Sequence, residues 1–231
     1  MKSNYRYIVK AFMAMAVIAG TTSCDDFLDR EPMSSISPET YYSTAAQLEA
    51  NLNDEYPNVL PSFGQWTYGI FGEDKGTDNQ IEVNANDRYT QDRWKVPHSE
   101  SDNWKFERIY RINFFLSEAL PKFGEDMSGS QNTISGSVAT IKHYIGEMYF
   151  LRAYEYFKKL QLFGDFPIIN QPLADEMEAL REASKRFPRN EVARFILEDL
   201  DKAISYLASR GKFNGQRVNR DCLLYTSPSP R

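Results

Sequence analysis

The chain has 231 residues, 42% hydrophobic and 26% charged, with 12 Gly and 11 Pro, which excludes collagen, a disordered polyampholyte and a polytopic membrane protein. A net charge of −5 argues against a nucleic-acid partner, which would need a basic face to meet phosphates. Two His and two Cys supply few parts for a zinc cluster or a Cys/His active site, whereas 14 Tyr and 15 Phe supply core volume or flat contact surface.

Lys2, Arg6 and Lys10 precede an apolar run over 11–20, which leads through Thr21, Thr22 and Ser23 into Cys24. A basic segment followed by an apolar run shorter than the about 20 residues that span a bilayer reads as a secretory signal. Small residues running into a cysteine are what a lipoprotein signal requires: the thiol takes the diacylglyceryl group and becomes the new N-terminus after cleavage. Residues 1–23 are therefore expected to be a lipoprotein signal peptide and Cys24 the lipidation site, with Asp25, Asp26 and Asp29 as a solvated tether. Thr21 stands where such signals usually carry Leu, which keeps an ordinary signal peptide with an incidental cysteine open. If Cys24 carries lipid, Cys222 has no intrachain partner, and stability must come from packing.

Beyond the signal the periodicity is helical. Ser37, Pro38 and Glu39 form a helix start, and Thr44 with Gln47 predicts a capping box for a helix running to about Tyr56, where Pro57 stops it. From Pro57 to about Ser99 no helical period survives. Gly64, Gly69, Gly72 and Gly76 punctuate this stretch, while Phe63, Trp66, Tyr68, Phe71, Tyr89 and Trp94 argue against disorder. A helix is predicted from near Ser99, with Asp102 as capping partner, through Trp104, Ile109, Ile112, Phe115 and Ala119 to Pro121. The Ser/Gly/Asn-rich 124–136 stretch reads as a linker. The longest helix follows, with Val138, Ile141, Ile145, Met148, Leu151, Tyr156 and Leu160 on one apolar stripe and Gly164 and Pro167 closing it. A last helix is predicted over about 190–209, capped by Gly211. Long paired helices predict a mostly helical, all-α fold of tetratricopeptide-like hairpins with long irregular loops.

At the C-terminus, Pro228 and Pro230 prevent a helix from continuing. Residues 222–231 resemble the translated read-through of a sequencing adapter and are expected to be a non-native tail, the alternative being a genuine disordered terminus. On the first reading the native domain is longer than the chain given.

Several motifs together resemble one family. Gly146-Glu-Met-Tyr-Phe-Leu-Arg152-Ala153-Tyr-Glu-Tyr156-Phe157 followed by Phe163-Gly164-Asp165-Phe166-Pro167 is similar to the central signature of SusD/RagB proteins. Cys24-Asp-Asp-Phe27-Leu28-Asp29, Tyr41-Tyr42-Ser43-Thr44, Trp104 with Tyr110 and Asn113, Phe195-Ile196 with Asp199-Leu200, and Arg217-Val218-Asn219 fall in family order. These are nutrient-binding outer-membrane lipoproteins of Bacteroidetes, and the resemblance covers residues 24 to about 221, the N-terminal part of such a domain. It implies a helical fold with tetratricopeptide-like pairs, a loop-rich ligand face, and a lipid-anchored, surface-exposed location on the outer membrane. It also implies docking on a TonB-dependent transporter of SusC type, to which glycan is delivered.

A sugar presents C–H faces that stack on Trp and Tyr and rim hydroxyls that need Asp, Asn, Gln or Arg. The 57–98 stretch mixes both, with Trp66, Tyr68, Asp78, Asn79 and Trp94 as candidate ligand contacts and buried anchors of a long loop as the other reading of the same rings. Arg152 and Asp165 read as a buried ion partner and a helix-end cap, and His98 and His143 as exposed or satisfied histidines. No catalytic residue, metal ligand or cofactor is expected. Two alternatives stay open: the same fold binding peptide or glycopeptide, and an exported glycoside hydrolase with paired carboxylates about 5–10 Å apart.

Overall fold

The computed structural model describes residues 41–61, 103–124 and 126–226. Six helices run through them: α1 (Ala45–Val59), α2 (Glu107–Phe123), α3 (Val138–Phe163), α4 (Met177–Ala183), α5 (Arg189–Tyr206) and α6 (Arg220–Thr226), with a 3-10 turn at Arg210–Phe213. No strand occurs among the described residues, where Thr44–Ser135 and Phe166–Phe187 form isolated bridges. The fold is all-α, as the periodicity predicts.

Helix α1 begins with the expected capping box. Gln47 N–H donates to Thr44 Oγ1 at 3.3 Å, and Thr44 N–H donates to Gln47 Oε1 at 3.0 Å. Pro57 does not stop this helix, which runs on to Val59, and Pro121 likewise lies inside α2, which runs on to Phe123. In both cases an apolar residue two positions past the proline is fully buried. A proline in the last turn removes one backbone donor, and the gain from burying Val59 or Phe123 offsets that loss. Helix α2 starts at Glu107 rather than near Ser99. Residues 104–106 are not helical, and Trp104 docks against Phe106, Phe163 and Phe166, with ring centroids 5.8, 4.7 and 4.9 Å away.

Helix α3 is the axis of the structure and packs against α1, α2 and α5. Its burial is accordingly wider than the single stripe predicted: Tyr144 to Tyr149 are buried without interruption. Gly146 permits this packing, since a Cβ there would meet Tyr206 Cβ at 3.0 Å and Leu207 N at 3.1 Å. Gly164 ends α3 with a φ of +68°, a conformation that costs glycine little.

Helix α5 stops at Tyr206, short of the predicted 209: Leu207 N–H still donates to the Ala203 carbonyl, but donors beyond it find acceptors elsewhere. Ala208 N–H donates to His143 Nδ1 and Arg210 N–H to Asp221 Oδ2, both at 2.9 Å. Helix α6 is capped by Asn219, whose Oδ1 accepts from Cys222 N–H at 3.0 Å. The 124–136 connector is anchored by buried Met127 and Ile134. Phe157 and Leu197 remain exposed beside an apolar groove between α3 and α5, to which Leu223 of α6 also contributes.

Candidate functional site

The sequence-predicted residues Cys24, Trp66, Tyr68, Asp78, Asn79 and Trp94 lie outside the described residues, as does His98. The flanks of the stretch carrying the five ligand candidates are described, and both are tied to α3. Lys158 Nζ donates to the Val59 carbonyl, and Lys159 Nζ donates to the Asn103 carbonyl at 2.6 Å. Two consecutive lysines therefore hold the chain on either side of residues 62–102.

Next to this point a polar network organises the segment after α3. Arg152 donates through Nε and Nη2 to the two Asp199 oxygens at 2.7 and 2.8 Å, and through Nη1 to Asn113 Oδ1 at 2.9 Å and the Asn170 carbonyl at 3.2 Å. Asn113 Nδ2 in turn donates to the Ile169 carbonyl at 2.8 Å, while Ile169 N–H donates to Tyr156 Oη at 2.8 Å. Burial pushes the Tyr156 phenol well above its ordinary range, so it stays protonated and donates to the Ile169 carbonyl at 3.0 Å. Helices α2, α3 and α5 thus grip one irregular segment. Phe166 and Phe187 exchange backbone hydrogen bonds at 3.2 and 3.1 Å, which closes 166–187 into a loop containing α4. Asp165 caps the helix that follows this loop, accepting from Arg189 N–H at 2.9 Å. Arg152 is the buried ion partner expected, and Asp165 is a helix-end cap of α5 rather than of its own helix.

Between that loop and the start of α2 lies a cavity of about 340 Å³. Trp104, Phe106, Ile109 and Tyr110 form one wall, Pro167, Ile169, Leu173 and Leu180 another, and Gln171, Asp175 and Ser184 bring polar groups to it. The Arg186 guanidinium lies 4.7 Å from the centroid of the Trp104 ring, so one ring is already engaged by a cation. Tyr110 is 51% exposed and stacks on Phe114 with centroids 6.1 Å apart. An apolar concavity with an accessible ring and a few polar groups suits a ligand with one apolar face and hydroxyls at its edge. Sequence reasoning did not single out Tyr110 as lining a cavity, although a signal existed: it is an aromatic one position off the α2 stripe, beside Ile109.

His143 is buried rather than exposed. Its Nδ1 accepts from Ala208 N–H, and its Nε2 lies 2.8 Å from Glu147 Oε1 but off the line a hydrogen bond needs. Glu147 is bound bidentately by Arg217, at 2.8 and 2.7 Å. Burial works against the charge of Arg217, yet the Glu147 hydrogen bonds and charge prevail and hold that guanidinium above its usual range. This cluster ties α3 to the segment before α6. Among the described residues no group of His, Cys, Asp and Glu gathers to hold a metal, and no helix is long and apolar enough to cross a membrane.

The chain matches the SusD-like family model described as starch-binding and associating with the outer membrane, over residues 26–219. Two SusD-like proteins of Formosa agariphila are 26% and 24% identical to it, each over 87% of this chain and over 38% and 37% of their own length. The chain therefore spans less than two fifths of those curated relatives. Two solved SusD-like structures from Bacteroides fragilis share the fold. One, a carbohydrate-binding protein, is 18% identical with a TM-score of 0.51, covering 80% of this chain and 36% of its own. The other is 20% identical with a TM-score of 0.50, covering 84% and 36%.

Proposed function

The chain belongs to the SusD-like family of starch-binding proteins associating with the outer membrane, and from that premise we propose that it captures oligosaccharide nutrients without catalysis and delivers them to a TonB-dependent transporter of SusC type. In this reading Cys24 is lipidated and holds the protein on the outer face of the outer membrane, while the ligand stacks on exposed rings. The family match across 26–219 is the observation that carries it. The apolar cavity beside Tyr110 supports it chemically, because sugar rings stack on such surfaces and their hydroxyls find partners in Gln171, Asp175 and Ser184. Binding at a single site is modest, since a ring stack contributes about 1–3 kcal/mol before ordering costs, and confinement at the transporter mouth then supplies avidity.

Incubating the full-length protein with an oligosaccharide panel tests this reading. Sugar is expected to be retained with no new reducing ends. Release of reducing ends would identify a glycoside hydrolase instead, and failure to retain any sugar would contradict capture.

A further inference from the structure

The segment that walls the apolar cavity has a second face. Positions 104, 106, 109 and 110 line that cavity, whereas 103, 105, 107 and 108 line a separate cleft of about 290 Å³ completed by α3. The cleft is polar where the cavity is apolar. Lys105, Arg108, Lys158 and Lys159 meet there with Glu107 and Glu155.

Glu155 is the unusual member. Its side chain is 3% exposed, yet Oε2 has no hydrogen-bond partner. The nearest cations to that oxygen are Arg108 Nη1 at 3.8 Å and Lys158 Nζ at 3.9 Å, while Oε1 lies 3.4 Å from Lys159 Nζ. Charge-assisted bonds of this kind close to about 2.7–2.9 Å, so the buried Oε2 has cations nearby but no hydrogen-bond donor. A buried carboxylate oxygen without a donor is costly, and a group that brings one relieves that cost.

On the glycan reading above, on which this rests, the geometry points to a subsite in this cleft for a sugar unit that itself bears a carboxylate, a uronic acid. A divalent cation is refused by the four cationic side chains. A bare anion would face Glu155 without a proton to give. A uronic acid offers hydroxyl donors for Oε2 and, on the same ring, a carboxylate for Arg108, whose side chain is 49% exposed and whose planar fork binds carboxylate bidentately. The apolar cavity across the shared wall then takes the ring faces of the same glycan.

Calorimetric titration of the full-length protein tests this, using oligosaccharides in matched pairs: a uronic-acid-containing form and its carboxyl-reduced neutral counterpart. The carboxylate form of at least one pair is expected to bind about tenfold more tightly, the scale of one charge-assisted contact. Arg108→Gln, at a half-exposed position, is expected to melt like the parent and to bring the two forms to within about twofold of each other. Glu155→Gln is expected to weaken both forms of the pair, because both use the hydroxyl. Equal binding of the two forms, or a preference that survives Arg108→Gln, overturns the subsite and leaves glycan capture standing. Binding of no sugar in the panel overturns both.

Discussion

Arg152 and Glu155 lie three residues apart on α3, both buried, and their surroundings treat them in opposite ways. Arg152 is saturated: Nε and both terminal nitrogens donate to Asp199, Asn113 and the Asn170 carbonyl. Glu155 is surrounded by cations but keeps one oxygen without a hydrogen bond. A buried charge that its own fold satisfies holds the scaffold together. One that the fold leaves short is, in the subsite proposed for Glu155, what a ligand hydroxyl meets. The first grips the segment under the apolar cavity, and the second lines the neighbouring cleft.

Substitution separates the two roles. Asp199→Ala leaves Arg152 buried without its main counter-charge and is expected to cost about 3–5 kcal/mol, read by denaturant unfolding. Glu155→Gln breaks ion pairs of 3.4 Å or longer, two of them to partly exposed cations, and is expected to cost about 1 kcal/mol or less. Equal losses from the two variants would show that Arg152 and Glu155 do not differ in this way.

A smaller effect concerns Glu55 on α1, whose Oε2 also lacks a hydrogen-bond partner although Arg111 bonds its Oε1. Burial holds the Glu55 carboxyl above the ordinary carboxylate range, outweighing the attraction of Arg111. The folded state therefore binds this proton more tightly than the unfolded chain does. Its contribution to stability is fully present below the unfolded value and is lost as pH rises through the folded one. Melting curves from roughly pH 4 to 6 should show the parent gaining on Glu55→Gln as pH falls. A gap that widens against the parent on acidification would contradict this.

Local signals in the sequence carried much of the fold. The Thr44–Gln47 box, the α3 stripe and Gly164 depend on neighbours within a turn or two, and they lie where the pattern put them, except that Val138 at the head of the stripe is exposed. Pro57 and Pro121 misled because the burial of Val59 and Phe123 in the main core outweighs one lost helix bond. The start of α2 was misjudged for a related reason, since Trp104 looks periodic with Ile109 yet serves a cluster with Phe163 and Phe166. Arg152 was legible as a buried ion partner, its counter-charge Asp199 lying 47 residues away. Nothing in the sequence marks Glu155 as short of a donor. That property belongs to the distances from three cations, two of them on its own helix.

The central claim is that the exposed Tyr110 ring beside the cavity serves a ligand while the Arg152 network beneath it serves the fold. Tyr110→Ala tests it most directly, in the full-length protein, by titrating an oligosaccharide that the parent binds and recording the melting temperature of both forms. The account predicts affinity lower by roughly tenfold, the scale of one lost ring stack, with the melting temperature nearly unchanged. Unchanged affinity would contradict it, as would a loss of affinity that merely follows a loss of stability.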